Sequence, residues 1–350
     1  MRYCKAPKTP FSNIFASLIT VFVLTACTAH YTVNNKIMTV SSVERYSLRN
    51  LAGSEKSEEL LLILTFSGGG TRAAALSYGV LQALADTQIA VGGKQRRLLD
   101  EVDVISSVSG GSFSSAYYGL LGDRIFEDFE TNFLKRNVER ELAKRLISPS
   151  SWPELMSSYY ARSDLAADYF DEILFKGRTF SDFQLPWLPL IAINATDIAL
   201  GTPFTFLGYQ FAPICADLSS YLVSRAVTAS AAVPGPFSSI VLKNYAGTCD
   251  YQLPEWATSA IREGLVTTRR YQEAKILSSY INAEKFAYIH LFDGGISDNL
   301  GVRFILNYTA QTENIWQQME ALKLQNTNKI AIIVVNARNQ MKTDFAKERQ

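Results

Sequence analysis

Three short stretches carry groups that can act on an ester. Ser107-Val108-Ser109-Gly110-Gly111 follows an apolar run and precedes SFSSAYYGLLG, so Ser109 falls where a sharp strand-to-helix turn pushes a hydroxyl out of a sheet while small neighbours relieve the strain. Asp293-Gly294-Gly295 closes a second apolar run, a place where a carboxylate can point into a site at a sheet's C-terminal edge. Gly68, Gly69 and Gly70 lie between an apolar run and an alanine-rich segment, where backbone N–H groups at the start of a helix suit a negative oxygen. That oxygen is either a phosphate or the oxyanion of an acyl transfer. No Gly-Lys-Ser/Thr follows, and the spacing is not that of a dinucleotide fingerprint, which disfavours the phosphate.

A serine nucleophile needs a base, and the chain has only 2 histidines, His30 and His290. His30 belongs to the N-terminal segment. His290 precedes Asp293 by three residues within one apolar run, so on a regular strand the two side chains leave opposite faces. No histidine follows Asp293, which removes the Ser…Asp…His order of the α/β-hydrolases. The base is then a carboxylate, and Asp293 is the candidate. A free aspartate titrates near about 3.9, so burial has to raise it for work near neutral pH. This scheme requires no metal and no cofactor, and no His, Cys and carboxylate cluster has ligand spacing in the sequence.

The elements that must position these residues follow from the apolar pattern. Residues 60–84 read as strand, tight turn and helix, and residues 101–122 repeat that order around Ser109. Residues 123–147 carry apolar side chains at helical spacing among many charges and predict one amphipathic surface helix. Further strands are expected at 188–195, 204–207, 286–292 and 329–335, with helices at 220–233, 265–281 and from Asn299 onward. The strand runs are continuously apolar rather than alternating, which predicts an α/β fold with a mainly parallel central sheet flanked by helices.

At 350 residues, 47% apolar and a net charge of +1, the chain can bury a large core and lacks the charge footprint of a nucleic-acid binder. Residues 1–26 combine Arg2, Lys5 and Lys8 with a short apolar run, the pattern of a secretory signal. Leu24-Thr25-Ala26-Cys27 resembles a bacterial lipobox, which implies cleavage before Cys27 and its lipidation. Thr28, rather than Asp, then favours the outer membrane, facing the periplasm. Residues 27–58 are expected to be a lipidated tether and residues 59–350 the acyl hydrolase domain. In that oxidising setting Cys215 and Cys249 are expected to pair; in a reducing one they would be small buried side chains.

Taken in order, SGGGTR at 67–72, SVSGG at 107–111, ASAAVPG at 229–235 and DGG at 293–295 resemble the blocks of the patatin-like phospholipases, over roughly residues 59–337. Ser67 stands where plant patatins have aspartate and Ala73 where a glycine follows, departures that look more like the cytosolic phospholipase A2 branch. The first elbow glycine is Ser107. The resemblance implies a three-layer fold, Ser109 as nucleophile, Asp293 as its partner, and Gly68, Gly69 and Gly70 as oxyanion donors. It also implies a substrate-side role for Arg72, meeting a phosphate head group or fixing the loop. The expected substrate is a membrane phospholipid, a lysophospholipid or another acyl ester. A non-catalytic lipoprotein that uses the fold as a binding module, and an esterase or thioesterase on soluble acyl groups, remain as alternatives.

Overall fold

The computed structural model describes residues 34–40, 46–51, 56–157, 160–183, 187–312 and 314–338. The segments expected to be a signal sequence and a lipobox, with Cys27 and His30, lie outside the described residues. A compact unit begins at Val33.

Its centre is a sheet. Strands β1 (Leu60–Phe66), β4 (Val102–Val108) and β5 (Leu190–Asp197) are buried on both faces along nearly their whole length, and with β9 (Lys329–Val335) they pair in parallel in the order β9-β1-β4-β5. Runs such as LLLILTF and LIAINATD have no polar face to present to water, so helices must cover both sides. Between β1 and β4 a small antiparallel hairpin, β2 (Gln88–Val91) with β3 (Lys94–Arg97), turns through Gly92-Gly93.

The sheet is mainly parallel, as expected, and its remaining strands pair antiparallel. β5 pairs with β4 only through Asn194, and its overhang, Ala195 to Asp197, is flanked by β6 (Thr202–Thr205) and β8 (Tyr288–Asp293), both antiparallel; β7 (Ile240–Lys243) then pairs with β8. β8 therefore runs back along the overhang and stops opposite Ala195. Asp293 reaches the end of β4 from outside the parallel sheet rather than by running up with it.

Helices α1 (Gly70–Asp86) and α2 (Gly110–Leu121) start directly from the two glycine-containing turns. The single helix expected over 123–147 is two. Ile125–Leu134 is a wide π-type helix that buries Ile125, Phe129 and Phe133, with Phe133 stacked on Phe113 of α2. The Asn137 side chain then accepts the Arg140 N–H, and this cap starts a separate helix, α3 (Val138–Ile147). Beyond α4 (Arg162–Phe170), α5 (Val223–Ala231) is buried along most of its length against β5 and β8.

Part of the stretch read as a tether is docked on this unit. The Tyr46 hydroxyl donates to the Ile191 carbonyl at 2.8 Å and accepts the Ile191 N–H at 3.0 Å, satisfying β5 below the point where β8 stops. Asn34 exchanges hydrogen bonds with the backbone of Lys243, and the Ile37 N–H bonds the Cys215 carbonyl. Cys215 is disulfide-bonded to Cys249.

Candidate active site

The turn after β4 holds Ser109 at φ 50° and ψ −121°, a left-handed φ that a residue with a Cβ rarely adopts. Such strain persists only where the surroundings over-determine it. Here Gly110 packs backbone to backbone with the start of α1: a Cβ at Gly110 would lie 2.0 Å from the Gly70 carbonyl oxygen. The serine in place of the usual first glycine is accommodated, since Ser107 is buried and its hydroxyl accepts a 2.7 Å hydrogen bond from Ser115 of α2.

Strain at the turn aims Ser109 at Asp293. The Ser109 hydroxyl donates to Asp293 Oδ2 at 2.8 Å, and the Gly295 N–H donates to Oδ1 at 2.7 Å. Both residues are 7% exposed, so the pair is largely desolvated yet open at one side. Burial raises the Asp293 carboxyl above the ordinary aspartate value, and the Gly295 and Ser109 hydrogen bonds hold it partly back. His290 faces away, exposed, with Nδ1 3.2 Å from the Ser239 hydroxyl. The structure thus brings together the serine and the aspartate singled out in the sequence, and the opposite-face argument for His290 agrees with the alternating burial of β8.

Ser230, on α5, ties the parts together. Its hydroxyl accepts the Ser109 N–H at 2.8 Å and donates to the Asn194 carbonyl at 2.6 Å, while the Ser112 hydroxyl lies 3.0 Å away. The Ser230 carbonyl accepts the Gly294 N–H, and the Ala232 carbonyl accepts the Asp293 N–H. One helix end therefore fixes the elbow, the end of β5 and the Asp293 turn in a common register. Asn194 reinforces this with its amide, which donates to the Ser106 hydroxyl and the Ser107 carbonyl. In the sequence the 229–235 block carries only its resemblance, and no spacing in the chain links Ser230 to Ser109.

The glycine loop divides. The Gly68 N–H is taken by the Asn299 carbonyl at 3.0 Å, so it is not free to meet an oxyanion. Gly69 has φ 143° and Gly70 φ 62°; both are exposed, and neither N–H has a partner among the described residues. Ser67, in the position of the patatin aspartate, accepts the Ala337 N–H at 2.8 Å and anchors the loop to the chain just after β9. Arg72 is exposed, its Nη2 lies 3.5 Å from where a Gly69 Cβ would stand, and it forms no ion pair among the described residues. A hydroxyl on a desolvated carboxylate beside two free N–H donors is an arrangement able to transfer an acyl group.

A sequence model described as patatin-like phospholipase matches residues 64–306, more than half of the chain. No curated protein matches it. Among solved structures, human GIVD cytosolic phospholipase A2 is similar at 14% identity and a TM-score of 0.39, over 82% of this chain and 51% of that one. The chain thus spans about half the length of that enzyme.

Proposed function

The chain belongs to the patatin-like phospholipase family of lipid acyl hydrolases, and from that premise we propose that it cleaves fatty-acyl esters of phospholipids or lysophospholipids with a Ser109–Asp293 dyad. The observation that carries this reading is the 2.8 Å hydrogen bond from the strained Ser109 to a buried carboxylate. As Ser109 Oγ attacks the ester carbonyl, its proton passes to Asp293 Oδ2 and then to the leaving alkoxide. Water, activated by the same carboxylate, releases the fatty acid from Ser109. The Gly69 and Gly70 N–H groups face the oxyanion in both steps.

Two features fit a lipid substrate. Val233 and Ile296 are both about half exposed; Val233 follows Ala232, whose carbonyl binds the Asp293 N–H, and Ile296 follows Gly295. They offer an apolar rim for an acyl chain, and Arg72 offers a cation for a phosphate head group. The Cys215–Cys249 disulfide fits an oxidising compartment, in keeping with a protein anchored through Cys27 at the outer membrane and facing the periplasm.

Fatty-acid release from defined phospholipids and lysophospholipids, with Ser109→Ala as control, tests the activity. Release that depends on Ser109 supports the reading; turnover confined to soluble esters or thioesters overturns the lipid assignment. Metabolic labelling with a radioactive fatty acid tests the anchor, and label retained by Cys27→Ser overturns it.

A further inference from the structure

Withdrawal of the Gly68 N–H leaves the oxyanion loop one donor short of its three glycines, and the residue that withdraws it stands beside the nucleophile. Asn299 occupies the short turn after Gly295–Asp298, and its backbone carbonyl is the acceptor for Gly68. Its side chain lies across two glycines: a Cβ at Gly68 would come within 2.5 Å of Asn299 Oδ1, and a Cβ at Gly295 within 2.8 Å of the same atom. Ser109 Cβ lies 3.2 Å from that Gly68 point, and Asp293 Oδ1 lies 2.9 Å from that Gly295 point. The carboxamide therefore fills the space between the glycine loop and the Asp293 turn, next to both members of the dyad. It is exposed and has no hydrogen-bond partner among the described residues, although the glycines on either side leave it room that any side chain there would remove.

We infer that the Asn299 side-chain amide donates to the ester carbonyl oxygen as it becomes an oxyanion, standing in for the Gly68 N–H that its own backbone has engaged. A carboxamide turns about its last bond, and beside the Asp293 carboxylate the Nδ2 end is the one that charge favours. A fixed amide donor costs no reorganisation as charge develops, and loss of one such donor typically lowers kcat by about 10²–10³-fold. This rests on the hydrolase reading. It explains why Gly68 and Gly295 are glycines even though Gly68 supplies no free donor and neither has a positive φ.

The test is ester hydrolysis by wild type, Asn299→Ala and Asn299→Asp, with melting temperature measured on each. Every variant keeps the backbone carbonyl that holds Gly68, so a structural role of the side chain would appear in melting rather than in kcat. The expected result is a fall in kcat of about 10²–10³-fold for Asn299→Ala at near-constant KM, and a larger fall for Asn299→Asp, which sets a carboxylate against the oxyanion. An Asn299→Ala variant that keeps the wild-type kcat, a change in KM alone, or losses that track the folded fraction in both variants would overturn the assignment while leaving the hydrolase reading standing. A wild type with no hydrolytic activity would overturn both.

Discussion

A buried acidic residue lies near each end of strand β4, Asp103 within the strand and Asp293 at the end of β8, and only the second is hydrogen-bonded to a serine hydroxyl. At the N-terminal end Asp103 is 6% exposed and its carboxyl is pushed up to about 6 by burial. Yet it accepts the Leu62 N–H at 2.8 Å and feels the nearby Lys56 ammonium, itself buried and bonded to the Val102 carbonyl. Glu101 beside it is held by Arg96 at 2.9 Å. At the C-terminal end Asp293 is equally buried and also raised, but among the described residues no cation contributes to its environment; its partners are a hydroxyl and one N–H. A raised carboxylate is therefore not diagnostic by itself. What would make Asp293 a base, on the proposed reading, is that the group it bonds is a hydroxyl with a proton to give, whereas Asp103 faces a backbone N–H and an ammonium.

The largest expected effect separates the two carboxylates. Ser109→Ala, Asp293→Asn and the double variant should each lower hydrolysis by at least about 10³-fold, with the double no worse than the singles, because nucleophile and base act as one unit. Asp103→Asn should keep turnover per folded molecule within about threefold of wild type. Comparable loss in Asp103→Asn, measured on folded protein, would erase the distinction.

Acidity sharpens it next. In the proposed mechanism Asp293 works deprotonated, and burial raises its pKa, so the acid limb of kcat/KM should lie above the value of about 3.9 of a free aspartate and be unmoved by Lys56→Met. Stability should respond the other way. A carboxyl raised in the folded state contributes stability that is present below its unfolded value and lost as pH rises through its folded one. For Asp103 that window runs from about 4 to about 6 in wild type, and Lys56→Met should extend the loss to higher pH, which urea melts from pH 4 to 8 would read.

A smaller effect follows from the same sign. The ionised Asp293 is a burden to the fold near neutral pH, so Asp293→Asn should melt a few degrees higher than wild type at pH 8 and lose that advantage at pH 4, while being inactive at both. Scanning calorimetry at the two values reads the difference. The smallest effect is expected at His290, exposed on the far face of β8: His290→Ala should retain hydrolysis within about twofold.

The Ser109–Asp293 contact was legible because the chemistry of an acyl transfer narrows the choices. Two histidines, one of them back to back with Asp293, left a carboxylate as the base, and glycines after Ser109 and Asp293 marked turns in which side chains project. What stayed hidden depends on contacts far apart in sequence. The direction of β8 follows from the β5 overhang, which no local pattern announces. Ser230 reaches Ser109 across 121 positions through a hydroxyl that looks like any other in a small-residue helix. Gly68 reads as a donor until the carbonyl of Asn299 is found on it. Tyr46 sits in a polar segment, and only the unpaired edge of β5 shows why it docks.

The most direct test is the reaction of a fluorophosphonate probe with wild type, Ser109→Ala, Asp293→Asn and His290→Ala, with the modified residue mapped by mass spectrometry. The account predicts stoichiometric label on Ser109 in wild type and His290→Ala, none in Ser109→Ala, and much slower labelling in Asp293→Asn. Label on another residue, or its loss in His290→Ala with the circular dichroism spectrum unchanged, would contradict a Ser109–Asp293 dyad.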